Sequence, residues 1–172
     1  MIIFKTATIH DAQSLADLVN SAYRGDSSRL GWTTEAELLD GQRTDKDSLA
    51  ELIQTPLNRI EMAFEADKLI GCVHLKEEGK ETLYFGMLTV SPALQSKGTG
   101  KEIIKHVEEI ALEKNLKRIK ITVIQHRKEL ISYYERRGFR PTGRYEEFPS
   151  HDPKFGLPKV PDLKLMEYEK IL

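Results

Sequence analysis

From Thr82 to Leu112 the hydrophobic pattern changes character once, and what lies at the change constrains the rest of the chain. Residues 82–90, Thr-Leu-Tyr-Phe-Gly-Met-Leu-Thr-Val, form an apolar run with β-branched and aromatic side chains that stops at Ser91-Pro92, as a buried strand does. Beyond Gln95-Ser96-Lys97-Gly98-Thr99-Gly100, the residues Ile103, Ile104, Val107, Ile110 and Ala111 recur on one helical face. Thr99 with Glu102 has the Thr-x-x-Glu form of a capping box. The stretch therefore predicts strand, tight loop, helix. A loop with two glycines at a helix N-terminus leaves backbone N–H groups unpaired at the positive end of the helix dipole. Such a loop is an anion site of a size to take a pyrophosphate. It lacks the Gly-Lys-[Ser/Thr] ending of a magnesium-dependent phosphate loop and the three glycines of a dinucleotide fingerprint. The same glycines would also serve a simple turn that packs a helix on a strand.

The elements on either side can be read from their periods. Residues 2–7 predict a first strand, and Thr8-Ile9-His10-Asp11 a cap before a helix burying Leu15, Leu18, Val19 and Ala22. Tyr23 to Thr44 is polar and glycine-rich, with Trp32 inside it and a helical turn expected at 34–39. A short helix is expected from Thr44 to Gln54, burying Leu49, Leu52 and Ile53 and ended by Pro56. Residues 59–65 alternate Ile60, Met62 and Phe64 inward with Arg59, Glu61 and Glu65 outward, the period of a half-exposed strand. A second strand over 69–75 and the run at 82–90 complete an antiparallel meander. After the helix, residues 116–124 predict a returning strand, so this pair should be a parallel, right-handed crossover. Where such a pair splays apart, backbone groups on the facing edges are left for a ligand. A helix over 127–137 burying Leu130, Ile131 and Tyr134 ends at Gly138. An arm follows near 139–147, then an irregular stretch from Phe148 to Pro161 with four prolines, placed to close over a substrate, and a closing strand over 163–172.

Two blocks in this frame resemble the GNAT superfamily of N-acetyltransferases. Val90-x-Pro92-x-x-Gln95-x-x-Gly98-x-Gly100 is similar to that family's acetyl-CoA motif. Tyr133-Tyr134-Glu135-Arg136-Arg137-Gly138-Phe139 is similar to its Tyr-Glu-x-x-Gly-Phe segment. The resemblance spans essentially the whole chain. It implies an α/β (α+β) fold: a single domain over 1–172, with a mixed, mostly antiparallel sheet, a splayed parallel central pair and about four flanking helices.

The resemblance also assigns roles. The cosubstrate is acetyl-CoA, with no metal. Its pantetheine arm would lie along the backbone of Leu88, Thr89 and Val90, and its pyrophosphate on the amides of Gln95, Ser96, Lys97, Gly98, Thr99 and Gly100. Tyr134 corresponds to the tyrosine beside the cofactor sulfur, a catalytic acid for the departing thiolate, although Tyr133 and Tyr134 would equally serve as packing residues of a helix. Carbonyl polarisation would fall to the N–H of Leu88 or Val90. An asparagine of many members, which holds the pantetheine arm, is replaced here by Arg127, a donor of different shape. Lys97, Lys101 and Arg136 could neutralise phosphates. The strand glutamate that some members use as base is missing from Tyr84-Phe85-Gly86-Met87, leaving His74, His126, Glu61 or a water. The family's acceptor site lies between its first two strands, which makes Tyr23, Arg24, Trp32, Thr33, Glu35 and Arg43 candidates.

Composition excludes more than it proposes. The 26 basic and 27 acidic residues leave a net charge of −1, so no overall field attracts nucleic acid or an anionic membrane. No apolar run reaches the roughly 20 residues of a membrane span, and Met-Ile-Ile-Phe-Lys-Thr has no signal-peptide form, so a cytoplasmic setting is expected. Cys72 is the only cysteine and reads as a small core residue. The five histidines, His10, His74, His106, His126 and His151, show no metal-ligand spacing. The expected partner is a small-molecule or peptide amine. A homodimer is compatible with the resemblance, though no exposed apolar stripe marks its face. Three functions remain open: acetyl transfer to an amine, a non-catalytic acyl-CoA-binding regulatory module, and a phosphotransferase, which the missing Gly-Lys-[Ser/Thr] opposes.

Overall fold

A computed structural model describes residues 1–150 and 152–172, with Phe155 described by its backbone alone; His151 lies outside the described residues. The elements run β1 (Ile2–Thr6), α1 (Ala12–Tyr23), α2 (Gly25–Ser28), β2 (Leu39–Asp40), α3 (Lys46–Gln54), β3 (Asn58–Glu65), β4 (Lys68–Glu78) and β5 (Thr82–Val90). They continue with α4 (Thr99–Glu113), β6 (Arg118–Ile124), α5 (Lys128–Glu135), β7 (Arg140–Glu147), β8 (Leu157–Pro158) and β9 (Lys164–Ile171). Seven strands form one sheet in the order β1-β3-β4-β5-β6-β9-β7, and β2 pairs with β8 in a separate two-stranded ribbon. Every neighbouring pair in the large sheet is antiparallel except β5 and β6.

That one parallel pair is short. Thr82, Leu83 and Tyr84 pair with Arg118, Ile119 and Lys120, after which the strands part. Beyond the split, β5 carries a bulge: Cys72 pairs with Thr89 and His74 with Gly86, so Met87 and Leu88 oppose the single residue Val73. Met87 takes a positive φ of 52° there. Such a bulge re-aims the strand. It turns Leu88 toward the gap that β6 has left.

The sheet is covered on both faces. Leu15, Val19 and Leu49 of α1 and α3 pack on Ile60, Met62 and Cys72. On the other side, Ile103 and Val107 of α4 with Tyr134 and Phe139 pack on Leu83, Phe85 and Ile119. Gly71 permits the close approach of α4: a Cβ there would stand 2.7 Å from the Thr89 carbonyl oxygen and 2.8 Å from Ile103 Cδ1.

Two expectations need correction. Glu61 is not on an outward face; it is buried, accepts the Thr6 hydroxyl at 2.7 Å and meets His106 Nε2 at 3.1 Å, because α4 covers the side of β3 that alternation alone assigns to solvent. The turn expected at 34–39 is present as a single turn leading into β2, in which the Leu38 and Leu39 N–H groups both donate to the Glu35 carbonyl at 2.9 Å, and a further short helix lies earlier, at α2. Thr99 does not cap α4. The cap is Gly98, left-handed at φ 92°, and Thr99 is already helical and buried. By contrast, Asp45 caps α3 by accepting the Ser48 N–H at 2.7 Å, and the Thr8 N–H donates to Asp11 at 2.8 Å.

Candidate active site

The loop between β5 and α4 reaches the helix through two left-handed residues, Ser96 (φ 65°) and Gly98 (φ 92°). Left-handed turns of this kind build anion-binding concavities. Since Gly98 has no side chain to cap the helix, the first-turn amides of α4 stay available to a ligand. These amides border a cavity of about 290 Å³ lined by Ser96, Gly98, Gly100 and Lys101 at one end, and by Leu88, Val90, Tyr133 and Tyr134 toward the other. Gly100 has no room for a side chain, because a Cβ would meet the Tyr133 hydroxyl at 2.8 Å. The loop, the free amides and an elongated apolar continuation fit a pyrophosphate with a pantetheine-like arm.

Along the apolar part of this cavity, β5 presents its open edge. The Leu88 carbonyl accepts the Tyr23 hydroxyl and the Val90 carbonyl accepts Gln95 Nε2 at 3.1 Å, so these residues turn their backbone away from β4. A strand residue points its N–H to the same side as its carbonyl. The Leu88 and Val90 amides thus face the split between β5 and β6. Thr89 points the other way: it pairs with β4, is 1% exposed, and its hydroxyl donates to the Met87 carbonyl at 3.0 Å.

Gln95 does something the sequence did not suggest. Its Oε1 accepts the Trp32 and Thr33 N–H groups at 2.8 and 3.3 Å, while Nε2 donates to Thr33 Oγ1 at 2.7 Å. The lack of a side chain at Gly31 makes space for this amide. Trp32, held in this way, packs at 5.2 Å on the Tyr133 ring, and Arg137 lies 3.4 Å over the same ring. Trp32 therefore lines the first cavity. Arg137 lines it too, a residue that its Tyr133-x-x-x-Arg137 spacing on one helical face could have disclosed.

A second cavity, about 230 Å³, opens on the far side of the split. It is lined by Tyr23, Arg24, Glu35, Arg43, Arg127 and the diverging segments 84–88 and 121–124, with Phe148 and Pro149 at its edge. Glu35 is its electrostatic centre, 3.0 Å from Arg24 Nη2 and 3.4 Å from Arg127 Nη1. Burial lowers the pKa of Arg24, against the opposing pull of Glu35. Burial, followed by Glu35, pushes the Tyr23 phenol up to about 12. The two cavities share Tyr23, Leu88, Leu130 and Tyr134. Tyr134 is 5% exposed, and burial raises its pKa well above that of an ordinary phenol, with Tyr23 and Tyr133 adding to the effect. It stays protonated at any working pH.

Of the residues singled out in the sequence, Leu88, Val90, Gln95, Ser96, Gly98, Gly100 and Tyr134 come together at the first cavity. Lys97 is exposed and Thr99 and Thr89 are turned away, so their side chains do not line it. Arg127 is directed to the second cavity instead, where Glu35 holds it. Of the three side chains considered as bases, Glu61 is engaged by His106, and His126 is exposed and lines neither cavity. His74 lies in a third cavity beside Tyr84 and Met87, and burial pulls its pKa down to about 4. Among the described residues, no cluster of His, Cys, Asp or Glu is disposed to hold a metal ion, and no helix is long and apolar enough to cross a membrane.

The family model described as Acetyltransferase (GNAT) family matches residues 15–139. An uncharacterized protein of Bacillus subtilis, YdhI, is 26% identical over 76 residues, 44% of this chain and 46% of that protein, so the match spans less than half of that relative. The fold is similar to that of an IAA acetyltransferase from Bacillus cereus, with TM-score 0.70 and 15% identity over the full length of both chains. A GNAT family acetyltransferase from Elizabethkingia anophelis with acetyl-CoA bound has TM-score 0.67 and 18% identity, covering 99% of this chain and 98% of its own. An N-acetyltransferase from Staphylococcus aureus has TM-score 0.73 and 14% identity, covering 99% and 97%.

Proposed function

This chain belongs to the GNAT family of acetyltransferases, and from that premise we propose that it moves the acetyl group of acetyl-CoA to the primary amine of a small molecule or peptide, directly, with both substrates bound. The observation that carries this reading is the meeting of two cavities at Tyr23, Leu88, Leu130 and Tyr134. One cavity fits the carrier; the other admits an acceptor from the opposite side of the split sheet.

When bound, acetyl-CoA supplies an activated acyl carbon with a thiolate leaving group. The amides of the 95–100 loop and the first turn of α4 hold the pyrophosphate without desolvating a side-chain charge. Where β5 has lost its parallel neighbour, the Leu88 and Val90 N–H groups take the place of a strand partner for the pantetheine arm. One of them would donate to the thioester carbonyl oxygen as it gains charge, a contribution that removal of a single such donor shows to be about 3 kcal/mol elsewhere. Tyr134 Oη, which keeps its proton, would supply it to the departing sulfur. Tyr23, bonded to the Leu88 carbonyl, fixes the bulge that aims this edge.

Amine-dependent appearance of free thiol on incubation with acetyl-CoA and a panel of primary amines tests the proposal. Calorimetric binding of CoA without turnover of any amine would reassign the protein as an acyl-CoA-binding module. A folded protein that gives no heat with CoA would remove both readings.

A further inference from the structure

The second cavity has an unbalanced charge at its inner wall. Among the described residues, Glu35 is the single acidic side chain lining it, against Arg24, Arg43 and Arg127. The Arg24 and Arg127 side chains are only 4% and 7% exposed, and both turn to that one carboxylate. Arginine keeps its charge at any physiological pH. One buried carboxylate is therefore shared between two buried guanidiniums, of which Arg24 also donates to the Gln42 carbonyl at 3.0 Å, and Arg43 adds a third positive charge nearby. Uncompensated charge out of water is costly. A site that gathers it is arranged for a ligand that brings the missing anion.

Arg127 indicates which kind of anion. Its Nη1 is 3.4 Å from Glu35, while Nη2 is buried with no hydrogen-bond partner among the described residues. A guanidinium offers its donors as a planar fork that matches a carboxylate. Arg127 also stands at the N-cap of α5, and Tyr134 lies seven residues further along the same helix. Seven residues are about two turns, roughly 10 Å along the axis, which returns to nearly the same face. One helix thus carries an anion-seeking group and the candidate proton donor two turns apart, both lining the acceptor cavity.

We propose that the acceptor is a small amine that also carries a carboxylate, an amino-acid-type molecule whose carboxylate seats on Arg127 beside Glu35 while its amine reaches toward Tyr134. This rests on the transferase reading and narrows its acceptor. A diamine is disfavoured in the same cavity, because its second ammonium would lie against Arg24 and Arg127.

The test uses amino acids of increasing chain length, each compared with its methyl ester and its decarboxylated amine. Acetyl transfer is followed by thiol release, and binding by the Tm of the CoA-loaded protein. The free acids are expected to exceed their neutralised partners in kcat/KM by about 100-fold, the discrimination of a charged hydrogen bond, and to raise Tm where the esters do not. In Arg127→Met the acid-to-ester ratio should fall to within about 3-fold, chiefly through KM, with Arg127→Lys between the two. Because each ratio is taken within one protein, a loss of folded material in a variant cancels from it, and the wild-type ratio stands without any variant. Equal use of acids and esters, preference for diamines, or an unchanged ratio in Arg127→Met overturns the carboxylate assignment and leaves the transferase standing. No turnover of any amine by a protein that binds CoA overturns both.

Discussion

Tyr134 shows how much of a residue's role depends on where burial puts it. Its ring is packed among Phe85, Tyr133 and Phe139, at centroid distances of 5.5 to 5.9 Å, and it lines both cavities. Removing only the hydroxyl leaves this packing in place, so Tyr134→Phe should fold normally and bind CoA with little change. Its kcat in the thiol-release assay should fall by about 10² to 10⁴, the range for loss of a general acid. A variant that retained full kcat would reduce Tyr134 to a packing residue. The Tyr-Glu-x-x-Gly-Phe resemblance singled this tyrosine out from sequence alone. The opposite case is Arg127, seven residues before that tyrosine, where the resemblance suggested the pantetheine arm. Its real neighbour, Glu35, is 92 residues away in the chain, and no local pattern carries that information.

At the scale of elements, the strand, loop and helix over 82–113 were legible because each has its own period and the glycines mark the join. What was not legible is the local conformation inside the join. The bulge at Met87 and Leu88 depends on pairing with β4, and the start of α4 depends on Gly98 rather than on the Thr99 box. Likewise β2 and β8 are two residues each and exist only because distant loops meet. Gly98 supplies the element-scale prediction. A Cβ there would meet nothing within 4 Å, yet φ is 92°, so Gly98→Ala strains the backbone without a clash, at a cost of about 1–2 kcal/mol. Stability should drop by about that amount in urea unfolding. CoA affinity, measured by calorimetry, should fall about tenfold or more as the loop amides lose their aim. Unchanged affinity would remove the loop from the carrier site.

The whole molecule carries a pH signature from His74, which sits between the sheet and α3. Its Nε2 lies 2.8 Å from Asn58 Oδ1, and burial lowers its pKa from 6.5 to about 4. The unfolded chain therefore binds this proton more readily, so the stabilisation is full above about pH 6.5 and is lost as pH falls toward 4. Between pH 7.5 and 5 the loss is about 2 kcal/mol from this group. In urea unfolding at the two pH values, wild type should lose about that much more stability than His74→Gln; equal losses would show that His74 titrates freely. Cys72, whose thiol burial pushes up to about 12, needs no part in this. The fold itself was broadly readable because strand and helix periods are local. The resemblance also pointed to Tyr23, Arg24, Glu35 and Arg43, which line the second cavity, while the parts of its wall from 84–88, 121–124 and Arg127 belong to segments that meet only in the folded chain. Gln95 ties together two walls of the first cavity. Its amide pins Trp32 and Thr33 to the loop before α4, so the two walls cannot be renovated independently. A shift in acceptor preference that left the carrier undisturbed would have to be written at positions 24, 35, 43 and 127, and a library confined to those four codons is where a new specificity should be sought.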